Sequence, residues 1–294
     1  MSISRRRALA LLGSAAVFPS CTGKSPNAVR VGSKNFTESF IVAEIYAQTL
    51  EKAGMNVERH MNLGSVQIVL SALQRGDIDL YPEYTGTALI DVLHRPPLRN
   101  SNAVFMTVAE SYAAQYGFRW LNPSPMNNSQ AFATTQTVAT QFRLRTLSDL
   151  SQKAPQLRLA TIPEFLSRAD ALPGLQKFYG GFRFKSVNAY DIGLKYEALL
   201  HGQADVATAF TTDGQIGANN LVVLEDDKHF WPAYNVAPVV RNATLHAHPA
   251  IATALNRISP FITDIEARQM NYAVDHDKRD PSDVAADFLK RHAV

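Results

Sequence analysis

Between residues 29 and 87, an extended apolar stretch is followed three times by a short polar loop and a helical pattern, and this alternation leaves few folds open. Residues 29–32 (VRVG) read as a strand and SKNFTES as a polar loop. Ile41, Val42, Ile45, Leu50 and Ala53 then recur at helical spacing until Gly54 stops the helix. A second strand covers 57–61, LGS opens a helix carrying Ile68, Val69, Ala72 and Leu73, and GDIDLY is a third strand. Successive βαβ units joined by short loops predict an α/β fold with a mostly parallel sheet and helices on both faces.

The third strand leads into the most informative stretch, GDIDLYPEYTGT at 76–87. Pro82 cannot donate a ladder hydrogen bond and is expected to end the strand. Tyr84, Thr85, Gly86 and Thr87 follow, before Ala88, Leu89, Val92 and Leu93 announce a helix. Aromatics, a carboxylate and hydroxyls therefore gather at a strand-to-helix junction, where ligands sit in open α/β sheets. Packing aromatics at Tyr81 and Tyr84 and a plain turn at Gly86 fit the same stretch.

A helix over about 104–116 ends at Gly117, 118–121 looks extended, and the run PSPMNNS interrupts the pattern. A second α/β unit then begins. It has strands at AFATT, 157–161, 182–187 and 205–210, a helix start at 147–150, a Pro163-initiated helix and a helix over 192–201. DGQIGANN turns the chain into 221–224. After WPAYN, a strand at 236–240 is followed only by helices, one of them with Asp280 as N-cap and Pro281 at its first position. A tail of helices without a sheet has to pack on the first unit. Two lobes are expected, 28–127 with 235–294 and 128–234, joined by a hinge crossed near 127 and near 235.

Composition suits this reading: 294 residues, 46% hydrophobic and 19% charged, are enough for one large core or two smaller ones. Arg5, Arg6 and Arg7 account for the nominal charge of +3, because removing them from 29 basic residues leaves 26 against 26 acidic ones. With no basic run in the body and no RNP-like or zinc-finger pattern, no nucleic-acid partner is expected. Residues 1–21, MSISRRRALALLGSAAVFPSC, have the basic, apolar and small-residue regions of an export signal and are too short to span a membrane. Ser4-Arg5-Arg6 followed by Leu9 is close to a twin-arginine signal. Cys21 is the sole cysteine, so no internal disulfide can form, and it stands where a lipoprotein is acylated. A cysteine cut away with the leader, or left as a free thiol, is the alternative. An exported protein of the periplasm, anchored through a lipidated Cys21, is the expectation.

No GxSxG, SxxK, HExxH, Walker A or GxGxxG pattern occurs, and no cofactor is implied. The histidines are dispersed; His246 and His248 would point away from one another on a helix, so no metal site is expected. The residues present suit binding. Lys34 and Arg168 could hold an anionic group, and Tyr84, Phe210 and Tyr234 could face a cation through their π clouds. Each also has a duller reading, as a solvated charge or a core aromatic.

In order and spacing, GSKNFTES, LGS, GDIDLYPEYTGT, PEFLSR, FTTDGQI and LEDDKHFWPAYN resemble the osmoprotectant-binding proteins of glycine betaine/choline/carnitine ABC importers, from about residue 29 to the C-terminus. The resemblance implies a two-lobed, type II periplasmic-binding-protein fold that closes on a quaternary ammonium osmolyte and presents it, as a monomer, to an ABC permease. Carried over residue by residue, Lys34, Thr87 and Arg168 match positions that bind the ligand carboxylate, and Tyr84 and Tyr234 match two walls of an aromatic cage. Phe210 replaces a tyrosine of the family and keeps the π face. At 127–133, NNSQAFA stands where NTYALA or similar is usual, so Gln130 replaces a cage tyrosine and Asn128 an acidic or amide neighbour. Three aromatic walls are left. With Lys34 and Arg168 closing from opposite lobes on a carboxylate, glycine betaine is expected to bind at least about ten-fold tighter than choline. The alternatives are another small zwitterion or amino-acid-like ligand in the same fold, or a sensory binding module.

Overall fold

The computed structural model describes residues 28–293, so the expected export signal and Cys21 lie outside the described residues. The strands are β1 (Val29–Gly32), β2 (Val57–His60), β3 (Leu80–Tyr84), β4 (Phe118–Trp120), β5 (Gln130–Thr134), β6 (Arg158–Thr161), β7 (Ser186–Ala189), β8 (Val206–Phe210), β9 (Val222–Val223) and β10 (Val236–Arg241). They form two five-stranded sheets, in the orders β2-β1-β3-β10-β4 and β7-β6-β8-β5-β9, each the base of one lobe.

β1 runs parallel to β2 and β3, and β6 parallel to β7 and β8, as βαβ connections require. β10 is antiparallel to β3 and β4, and β5 to β8 and β9. Four strands of each sheet therefore share a direction and one opposes them. The opposing strand in either sheet is the first that the chain forms after crossing over. The crossings also bond to one another: Asn127 and Asn235 make an antiparallel bridge, and the Tyr234 N–H donates to Asn127 Oδ1 at 2.7 Å. The Asn235 side chain donates to the carbonyls of Ser124 and Met126 at 3.2 and 3.1 Å.

The helix Thr37–Lys52 is buried along most of its length, with Ile41, Val42, Ile45, Tyr46 and Leu50 fully enclosed. It is covered by Ala250–Ile258, Asp264–Asp275 and Pro281–Arg291, so the C-terminal helices do return to the first sheet. The last is capped as its sequence requires, with the Asp280 side chain accepting from the Ser282 N–H at 2.8 Å and Pro281 in the first turn. Among the described residues no helix is long and apolar enough to cross a membrane.

Pro82 does not end its strand. β3 runs on to Tyr84 because Pro82 lies opposite Pro238, whose carbonyl turns the other way to the Leu121 N–H at 2.9 Å. The two prolines thus fall at a non-hydrogen-bonded pair, where neither missing N–H is needed. The strand expected over 182–187 begins only at Ser186, since Phe182 has φ +60° and drops its ring into the second lobe's core, stacked on Phe132 at 5.6 Å. Helices Gln136–Phe142, Leu172–Tyr179 and Gly214–Ala218 occupy stretches without a foreseen helix.

Candidate ligand-binding site

Between the two sheets lies a cavity of about 500 Å³ whose wall includes all eight residues singled out above. Lys34 follows β1, Tyr84 ends β3 and Thr87 lies in the helical turn Thr85–Thr87 after it, so the short βα connections of the first lobe present them. Arg168 and Phe210 come from the equivalent connections after β6 and at the end of β8, while Asn128, Gln130 and Tyr234 stand at the crossings. Sheet topology thus brings together side chains up to 200 residues apart in sequence (Lys34 and Tyr234).

The two cations are not free. Lys34 Nζ is 2.5 Å from Glu83 Oε1, both side chains almost fully buried, and Glu83 also accepts from the Tyr81 hydroxyl at 3.0 Å and the Tyr84 N–H at 2.7 Å. Arg168 donates Nε and Nη2 to the two oxygens of Asp170, at 2.8 and 2.6 Å, and Nη1 to Asp91 Oδ2 on the other lobe. A pair of unpaired cations closing on a ligand carboxylate is therefore not what the geometry holds. Burial without a partner would cost such cations several kcal/mol, so acids come with them.

Of the aromatics, Tyr81 packs away from the cavity and Tyr84 faces it. The Tyr84 hydroxyl donates to Glu38 Oε1 at 2.7 Å, and Lys34 Nζ lies 4.5 Å from its ring centroid. Tyr234 donates its hydroxyl to Asp170 Oδ2 and seats its ring against Gly86. Phe210 is half-buried, its N–H donating to Asp213 Oδ2 at 3.0 Å, with the buried Lys195 5.1 Å from its ring. Gln130 Nε2 donates to Asp170 Oδ2 at 2.8 Å, and Asn128 Nδ2 to Glu38 Oε1 at 2.7 Å, so both amides hold carboxylates.

Those carboxylates are what the sequence reading missed. Glu38 accepts from Tyr84, Asn128 and, at 2.9 Å, Asn271; burial pushes its carboxyl up against the pull of these bonds. Asp170, fully buried, is shared by Arg168, Gln130 and Tyr234, and its backbone carbonyl accepts the Trp231 indole N–H at 2.7 Å. Asp91 is raised to about 6, chiefly by burial and against the attraction of Arg168. Their signals were local: Asp170 two residues after Arg168, Asp91 four after Thr87, and Glu38 in the first turn of its helix. In all, Glu38, Asp91, Glu164, Asp191, Asp213 and Asp275 line the cavity against two cations, Lys34 and Arg168, and such a wall favours a positively charged guest. Among the described residues no three metal-capable side chains converge.

A family model described as the substrate binding domain of the ABC-type glycine betaine transport system matches residues 27–291. A glycine-betaine-binding protein of Pseudomonas aeruginosa is 35% identical over 274 residues, covering 90% of this chain and 88% of that protein. The carnitine transport binding protein OpuCC of Listeria monocytogenes is 31% identical over 277 residues, covering 93% and 90%. A crystal structure of a glycine betaine/carnitine/choline ABC transporter protein superposes with a TM-score of 0.78 at 31% identity, over 90% of this chain and 98% of that one. Two lobes on mixed sheets, a cavity between them and these matches together place the chain among the substrate-binding proteins of ABC-type glycine betaine transport systems, which capture solutes and perform no chemistry.

Proposed function

We propose that this protein captures a quaternary ammonium compatible solute, of the glycine betaine, carnitine and choline class, by closing its lobes on it, and delivers it to the permease of an ABC importer. The observation that carries this is the convergence of Tyr84, Phe210 and Tyr234, one from each lobe and one from the crossing, on a cavity with an acidic wall. A trimethylammonium group has no N–H to donate, so it is held by π faces and diffuse negative charge, at about 0.5–2 kcal/mol for each ring. Lys34, Thr87 and Arg168 form the polar end, and Asn128 and Gln130 orient the carboxylates behind the rings.

In this reading 28–127 with 235–294 form one lobe and 128–234 the other, and a monomer works in the periplasm after export by residues 1–21, held to the membrane by Cys21. Titration calorimetry of purified protein against glycine betaine, carnitine and choline, with proline and arginine as controls, tests it. Saturable one-to-one binding of at least one trimethylammonium solute, and of neither control, is expected; binding of a control alone refutes it.

A further inference from the structure

We propose that Asp91 is a specificity-determining residue: from within the protein it supplies a carboxylate to Arg168 where a zwitterionic solute would place its own, so the cavity favours cations without a carboxylate over betaines. This rests on the reading of the cavity as a trimethylammonium site.

Asp91 lies four residues beyond Thr87 on one helical stretch, so hydroxyl and carboxylate share a face, and both line the cavity. Its Oδ2 accepts from Arg168 Nη1 across the cleft, with both side chains about four-fifths buried, and its charge also senses Lys34. Of the three residues that resemble a carboxylate clamp, Arg168 is therefore already bonded to a carboxylate of the protein itself, Lys34 acts on it through its charge, and Thr87 lies one turn before it. Arg168 has little left to offer another, since Nε and Nη2 are held by Asp170. The charges make the same point. Glu83, Asp170 and Asp91 outnumber Lys34 and Arg168 by one, so a solute carboxylate entering here would add a second excess negative charge, or would have to displace Asp91. A solute ending in a hydroxyl meets neither obstacle, because it can donate to Asp91.

An ion pair that only held the lobes shut would affect every solute alike, whereas the role proposed here changes a ratio. Glycine betaine and choline are titrated calorimetrically into the parent protein and into Asp91→Asn and Asp91→Glu, each first checked for a cooperative thermal melt without ligand. The parent is expected to bind choline at least as tightly as glycine betaine. Asp91→Asn should move the ratio toward glycine betaine by about ten-fold, the worth of a charge-assisted hydrogen bond, and Asp91→Glu should keep the parent's ratio. A parent that prefers glycine betaine ten-fold, or a ratio unchanged in Asp91→Asn while both solutes weaken together, overturns the proposal with the trimethylammonium site intact. If neither solute binds the parent or either variant, the site reading itself fails and the proposal falls with it.

Discussion

The ring of Tyr234 lies so close to the backbone of Gly86 that a Cβ added there would come within 2.5 Å of its Cδ1 and Cε1 atoms. Gly86 has no positive φ, so room, not backbone freedom, is what this position provides. Gly86→Ala should force Tyr234 off Asp170 and weaken binding of a trimethylammonium solute by about ten-fold, at an overpacking cost of about 1–3 kcal/mol. Calorimetry and a thermal melt on the same sample check it; unchanged affinity would mean that Tyr234 is not a wall of the site.

Tyr84 has two separable parts, a π face toward the cavity and a hydroxyl on Glu38. Tyr84→Ala should weaken solute binding by about 1–2 kcal/mol and Tyr234→Ala by a similar amount, through loss of a desolvated ring. Tyr84→Phe should stay within a few-fold of the parent. Should it lose as much as Tyr84→Ala, the bond to Glu38, and not the ring, is what the site needs.

Asp91 gives the fold an unusual response to acid. Its carboxyl ionises near 6 in the folded protein, above its ordinary value, so the folded state holds the proton more tightly than the unfolded chain. Stability from this group is therefore present at low pH and declines as pH rises toward and through 6. Glu38 and Asp275, also raised by burial, act in the same direction, whereas Asp79 and Asp205, lowered by their arginines, lose stability only in stronger acid. Urea unfolding of the parent and Asp91→Asn at pH 7 and pH 5 isolates the effect. Relative to the variant, the parent should gain about 1 kcal/mol on going to pH 5.

Phe132 is fully buried and meets Phe165 edge-on at 5.6 Å, stacks on Phe182 at 5.6 Å and approaches Trp231 at 6.3 Å. Phe132→Ala should cost about 3–5 kcal/mol of stability. Because Trp231 bonds the carbonyl of Asp170, the same change should also weaken solute binding, and denaturant midpoints with calorimetry measure both.

What the sequence reveals follows the range of the interaction. Strands and helices of the first lobe are legible because their periodicity is local. The continuation of β3 past Pro82 is not, since it depends on where Pro238, far along the chain, falls in register. The helix Gln136–Phe142 sets only Val138 and Phe142 against the core, both partly buried, so its apolar stripe is too short to read. Leu172–Tyr179 hides behind Pro173 and Gly174, which look like breakers, although Pro173 sits in the first turn and Gly174 is pressed against the carbonyl of Ala169. In the cavity, aromatics and cations announce themselves by their positions after strands. Their carboxylate partners do so less plainly: Asp170, two residues after Arg168, is a local neighbour easily passed over, and a lone Asp91 reads as a solvated charge until the fold delivers Arg168 to it.

The bridge between Asn127 and Asn235 makes the two crossings one ribbon. Two separate tethers would let the lobes twist and shear as well as swing; a bonded ribbon leaves chiefly a single bending coordinate. Tyr234 is the residue next to Asn235 and is held by Asn127, so bending that ribbon moves a wall of the cavity. The angle between the lobes and the seat of the solute are then one mechanical variable, and a permease that reads the angle reads occupancy without touching the guest.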